Sequence, residues 1–220
     1  KASGLDSVSR DMEENSDVIE PTTYVHALLR VYHDSVRIIT KSFDSEAGFF
    51  ASLDKACRVY MNQNQATGVS ASRSPELLAK FIDALLKKHS RGGDEESSLD
   101  ESLDAAMIVF KYIEDRDYFQ KFYAKFLSRR LVSFASASTD AEESMIARLK
   151  EACGFEYTSK IQRMFTEAGL SKELNDRFQE SGMQQNKELS FYSFVLTSGV
   201  WPLHCLLYTS PSPRDKRQSR

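Results

Sequence analysis

Apolar residues recur along most of this chain at the three- and four-residue spacing that turns one face of a helix inward. After Pro21, a residue suited to a first helical position, Val25, Leu28, Leu29, Tyr32, Val36 and Ile39 mark one such face. Phe49, Phe50, Leu53, Ala56, Cys57 and Tyr60 mark a second, which breaks at the turn-favouring run Asn62-Gln63-Asn64. Ser74-Pro75 opens a third helix, with Ser74 expected as N-cap and Pro75 just inside it. Leu77, Leu78, Phe81, Ile82 and Leu85 form its stripe.

Residues 90–98 then join two glycines to acids and serines without one apolar residue, and they predict a linker at a domain boundary. The six acids from Asp94 to Asp104 are read as a solvated linker and helix start, where negative charge complements the helix dipole. Leu99, Leu103, Met107, Phe110 and Ile113 make the next stripe. Asp117 is the expected cap of a helix carrying Phe119, Phe122, Tyr123, Phe126 and Leu127, and the Ser/Ala stretch 133–138 is its exit. Asp140 with Glu143, or Thr139 with Glu142, resembles a capping box. Gly154 is expected to end that helix in the left-handed conformation. Ile161, Met164, Phe165 and Ala168 predict a short helix closed by Gly169, and Leu174 and Phe178 one more. Residues 189–197, rich in aromatic and β-branched side chains, suggest a short strand. The class is all-α.

Composition narrows the functions. The chain has 220 residues, 41% hydrophobic and 28% charged, and its net charge of −3 offers no global attraction for nucleic acid or an anionic membrane. Nothing approaches the ~20 apolar residues that span a bilayer. The start, Lys1-Ala2-Ser3-Gly4-Leu5, shows neither a signal-peptide core nor an initiator Met, so we read a fragment whose true start is missing. Cys57, Cys153 and Cys205 have no Cys-x-x-Cys spacing, which suits a reducing compartment, and the first two are expected as buried small hydrophobes. His26 and His33 share a helix face without further ligands and read as core or surface histidines rather than a metal site. No phosphate-cradling loop, nucleophile elbow or His-Glu-x-x-His is present. Neither catalysis nor a cofactor is expected.

One helix does carry a chemical pattern. With Lys121 at zero on a wheel of ~100° per residue, Lys125 falls near 40° and Arg129 near 80°, whereas Phe122, Tyr123, Phe126 and Leu127 fill about 100° to 240°. Lys121, Lys125 and Arg129 thus form a cationic row beside an apolar face, and residues 119–134 contain no acid to neutralise it. The row is either a solvated helix edge or a shallow groove for an acidic segment, giving association speed and salt sensitivity. Arg130 lands near 180°, amid the apolar stripe. There its charge must reach solvent along its stem or pair with an acid from a neighbouring helix, and we expect the pair.

Long ungapped strings carry a family resemblance. Phe110-Lys111-Tyr112-Ile113-Glu114-Asp115, continuing to Leu131, and Asp140-Ala141-Glu142-Glu143-Ser144-Met145, continuing to Lys160, are two of them. Leu53-Asp54-Lys55-Ala56-Cys57, Ser74-Pro75-Glu76-Leu77-Leu78-Ala79 and Ser198-Gly199-Val200-Trp201-Pro202 are others. Together they resemble the cullin family, most nearly its SCF type, over roughly residues 24–202. The resemblance implies the end of a helical cullin-repeat stalk (21–90, after a partial N-terminal segment 1–20), followed by an incomplete four-helix bundle (98–204). It implies a non-catalytic scaffold of a ubiquitin ligase, in the cytoplasm and nucleus, with a RING-box subunit, a ubiquitin-conjugating enzyme and a cullin exchange factor as partners. The adaptor-binding repeat and the modifier-accepting segment are absent from the string. In the family, the bundle-helix bases that Lys121, Lys125 and Arg129 match are associated with a conjugating enzyme's acidic tail.

After His204 the likeness stops. Cys205-Leu206-Leu207-Tyr208-Thr209-Ser210-Pro211-Ser212-Pro213-Arg214-Asp215 resembles a translated sequencing adapter, so 205–220 is taken as a non-native tail. The rival readings are an unrelated helical tethering rod, told apart by its flanking sequence, and more remotely a helical enzyme with a polar-lined pocket. A bundle lacking one helix should expose an apolar groove. The isolated chain is therefore expected to associate in sedimentation; a monodisperse, cooperatively melting monomer would contradict this.

Overall fold

A computed structural model describes residues 19–64, 67, 72–87, 96–181 and 192–203, with the backbone alone at 96–98. The described residues form six helices and no strand: α1 (Pro21–Ser42), α2 (Ala47–Asn62), α3 (Arg73–Leu85), α4 (Glu96–Tyr112), α5 (Arg116–Val132) and α6 (Thr139–Glu180). Residues 1–18 and the tail 205–220 lie outside them, as does most of the 90–98 linker, whose last three residues are already helical.

The helix starts follow local hydrogen bonding more closely than residue type alone suggests. Pro21 does open α1, behind Glu20, whose Oε2 accepts from the Thr23 N–H at 2.7 Å. The expected cap Ser74 instead lies inside α3, one residue from its start, and donates to the Met61 carbonyl at 2.7 Å. Asp115, not Asp117, caps α5 by accepting from the Tyr118 N–H at 3.2 Å. Ser138 caps α6 through the Ala141 N–H, so neither expected capping pair is used. Asp115 and Ser138 are acceptors as good as the expected ones and lie within two residues of them, a choice that periodicity cannot make.

Packing crosses the linker. α3 lies chiefly on α5 and also touches α1 and α4, while α4 and α5 both reach α6. A single core runs from Tyr24, Val25 and Leu28 through Leu78, Ile82, Leu103 and Phe110 to Phe119, Leu127, Met145, Ile161 and Trp201. The helices on either side of the polar linker therefore share one interior. α2 is the least covered: Cys57 and Met61 are buried, but Phe49 at its start is exposed and rests against exposed Phe43, ring centroids 4.1 Å apart. Buried Asn62 ties its end to α4 by donating to the Tyr112 carbonyl at 2.8 Å and accepting from the Glu114 N–H at 3.1 Å.

Gly154 interrupts α6 as expected, with φ 85° and ψ 177°, a backbone shape that L-residues rarely adopt. Gly169 does not end a helix. The chain continues helically to Glu180, joining the two short helices expected here, because one glycine costs only ~1 kcal/mol in a helix interior. Leu174 is half exposed and Phe178 somewhat less so.

Of the expected strand 189–197, residues 189–191 lie outside the described residues, and 192–197 are extended chain that pairs with helix side chains instead of with a strand. Asn175 accepts from the Ser193 N–H at 2.9 Å and donates to the Ser193 carbonyl at 2.7 Å. Ser171 Oγ accepts from the Val195 N–H at 3.0 Å, and Glu167 Oε2 from the Thr197 N–H at 3.0 Å. Two residues of strand advance about as far as four of helix, which lets the steps 193–195–197 and 175–171–167 stay in register. Trp201, nearly buried, completes the attachment by donating Nε1–H to Glu167 at 2.8 Å.

Burial works against the Glu167 charge, but hydrogen bonds from the Thr197 side chain and backbone, Trp201 and Arg163 outweigh it and lower its pKa to about 2. A carboxyl depressed in the folded state stabilises fully above its ordinary value near 4.5 and loses that contribution as pH falls toward 2. The chain's single tryptophan is thus a direct probe. Trp201 emission is expected to shift red between pH 4.5 and 2, and Glu167→Gln to be shifted already at neutral pH without that transition. An emission maximum flat across the window would refute the attachment's dependence on this carboxylate.

Candidate functional site

α5 presents two faces with opposite tasks. Phe119, Tyr123, Ala124, Leu127, Ser128 and Arg130 are buried, and Phe122 and Phe126 pack at the core's margin. Lys121, Lys125 and Arg129 are exposed, and among the described residues none of them makes an ion pair. The Lys121 ammonium sits 5.0 Å from the Tyr118 ring centroid, a cation–π contact that leaves its charge available. The row therefore stands as the wheel places it: three cations on successive turns of one helix, with no internal counter-charge among the described residues.

Arg130, one residue beyond the row, is 1% exposed. Its Nε and Nη2 donate to the two carboxylate oxygens of Glu142 at 2.7 and 2.9 Å, and Nη1 donates to Asp83 Oδ1 at 2.6 Å. Both acids are themselves nearly buried. This is the pairing expected from the sequence, although with two acids rather than one. It joins α3, α5 and α6 at a single guanidinium. Ser136 adds a hydrogen bond to Glu142 at 2.8 Å, and the Lys87 ammonium lies 2.6 Å from the other Asp83 oxygen. Burial alone would lower the Arg130 pKa, but the Glu142 and Asp83 carboxylates raise it, so the charge is secure. The Tyr123 ring lies 5.8 Å from the guanidinium carbon, and burial pushes the Tyr123 hydroxyl's pKa up.

One further ionic feature and one hydrogen-bonded junction escaped sequence reasoning. Arg148 of α6 donates to Asp104 at 2.7 Å and Asp100 at 3.2 Å on α4, so part of the acid run expected to be solvated clamps two helices. The signal was available in the four-residue spacing of Asp100 and Asp104, which puts both on one helix face. Past the Gly154 kink, the Tyr157 hydroxyl donates to the Arg116 carbonyl at 2.6 Å and Gln120 donates to the Tyr157 carbonyl. Cys57 is buried; Cys153 is only half-buried and accepts from Arg116 at 3.5 Å. His26 meets Phe81 edge-on at 5.7 Å, and His33 meets Tyr32 at 5.5 Å. Among the described residues no His, Cys, Asp or Glu group could hold a metal ion.

Replacing Arg130 by Met should strand two buried carboxylates and destabilise the fold by about 3–5 kcal/mol. Replacing exposed Arg129 by Met should change stability by less than about 0.5 kcal/mol. Denaturant unfolding followed by circular dichroism measures both; equal effects would contradict the division of labour on α5.

Comparison with known proteins follows the same helices. Residues 1–175 match a family model described as the cullin alpha solenoid domain, a match that crosses the 90–98 linker. The chain is 49% identical over 205 residues to Cullin-1 of Dictyostelium discoideum, covering 91% of this chain and 26% of that protein. It is 40% identical over 206 residues to Cullin-1 of Schizosaccharomyces pombe, covering 92% and 27%. It is 41% identical over 210 residues to Cullin-2 of Caenorhabditis elegans, covering 93% and 26%. The chain thus spans about a quarter of the length of these curated relatives.

Proposed function

The chain belongs to the cullin family, and from that premise we propose that it is an internal piece of the non-catalytic scaffold of a cullin–RING ubiquitin ligase. Its task is mechanical: to hold a substrate receptor and a RING-bound ubiquitin-conjugating enzyme at a set separation for ubiquitin-dependent degradation. The observation that carries this reading is the continuous core from α1 to Trp201, cross-braced at Arg130. A spacer works only if its helices do not pivot, and a polar linker between two separate cores would permit pivoting. Residues 21–90 serve as the end of the stalk and 98–204 as the start of the bundle, joined through α3 and α5 without a gap.

The row Lys121, Lys125 and Arg129 is the docking element, receiving the acidic tail of the conjugating enzyme. Exposed cations beside an apolar margin suit an extended acidic chain that must bind and leave quickly. The RING-box subunit and the exchange factor engage the longer protein, whose site of action is the cytoplasm and nucleus.

In a chain extended to the length of its relatives, reversing Lys121, Lys125 and Arg129 to Glu should slow ubiquitin transfer by about ten-fold at low salt. The effect should shrink as ionic strength rises and the Debye length falls to about 8 Å. Transfer rates unchanged at every salt concentration would defeat the docking assignment.

A further inference from the structure

The row Lys121, Lys125, Arg129 advances by four residues, and its next step is Ser133. Ser133 closes α5: its backbone N–H bonds the Arg129 carbonyl at 2.9 Å, and its hydroxyl donates to the same oxygen at 2.6 Å. The side chain is exposed. Residues four apart on a helix stand one above the other, so a group carried on Ser133 Oγ comes within reach of the Arg129 guanidinium. That guanidinium has no carboxylate partner among the described residues. The following residue, Phe134, is exposed and sits at φ 53°, a backbone shape unfavourable for a bulky side chain.

We propose that Ser133 is a phosphorylation site that regulates the cationic row, the phosphate acting as a built-in competitor for the acidic segment; this rests on the docking role proposed above. A protein kinase passes the terminal phosphoryl group of a nucleoside triphosphate to Ser133. The Oγ–P bond forms, the phosphoanhydride bond breaks, the nucleoside diphosphate leaves, and the hydroxyl proton goes to the kinase's base. Exposed Arg129 is the upstream determinant for a kinase directed by basic residues, because Arg130 is engaged in its ion pairs. The phosphate brings about −1.5 to −2 charges and three strong acceptors, enough to occupy Arg129 and repel a carboxylate approaching Lys125. The negative end of the α5 dipole opposes a phosphate there, so the arrangement depends on Arg129 to offset it.

The test incubates the full chain with an arginine-directed kinase and a nucleoside triphosphate, and locates the phosphate by mass spectrometry. Binding of a fluorescent poly-glutamate peptide is then read by anisotropy for unmodified, phosphorylated, Ser133→Ala and Lys121→Glu/Lys125→Glu/Arg129→Glu chains. Phosphate is expected at Ser133, with affinity for the peptide roughly five-fold weaker at low salt, the upper range for one exposed ion pair. Ser133→Ala should bind like the unmodified chain. Absence of phosphate at Ser133, or unchanged affinity once it is present, overturns the proposal, and the docking row still stands if the triple reversal abolishes binding. Equal peptide affinity with and without the triple reversal removes the docking row itself and this proposal with it.

Discussion

A guanidinium kept from water at the meeting point of three helices sets the terms for the rest of this structure. The Arg130 charge is tolerable only because Glu142 offers both oxygens and Asp83 a third contact, and those acids in turn lean on Arg130, with Ser136 and Lys87 in support. The fork geometry of arginine demands that α3, α5 and α6 arrive in one relative placement. Hydrophobic burial, being non-directional, would accept many. The apolar core supplies most of the driving force, and the buried ions select among the packings it allows.

The same helix shows how little sequence separates structure from function. Arg129 and Arg130 are neighbours with the same side chain, yet a rotation of about 100° sends one into the ion-pair centre and the other to the surface. The exposed row can offer its charges because, among the described residues, none of its members is paired with an acid. A helix whose surface cations were paired internally would stiffen the protein but would have nothing to present to a partner.

Polar contacts also finish what the apolar pattern begins. Arg148 clamps α4 to α6 through two acids, Asn62 ties α2 to the end of α4, and Glu167, Ser171 and Asn175 hold the extended segment on α6. Each is a directional bond between elements distant in sequence, and each acts where apolar contact alone would let one element slide along another.

The first five helices, their apolar faces, the break at Gly154 and the cationic row were legible in the chain, because each depends on spacing within a few residues and a helix converts spacing into direction; the run of α6 through Gly169 was not. The partners of Arg130, the clamp at Arg148 and the union of the two halves across residues 90–98 were not. They join residues 12 to 48 positions apart, and no local rule ranks one acid above another at that separation. The extended segment marks the boundary between the two kinds of information. Its composition determined that it would be extended, but whether its backbone would pair with a strand or with the side chains of a helix was decided only when α6 ran on past Gly169 and brought a matching repeat of polar groups alongside it.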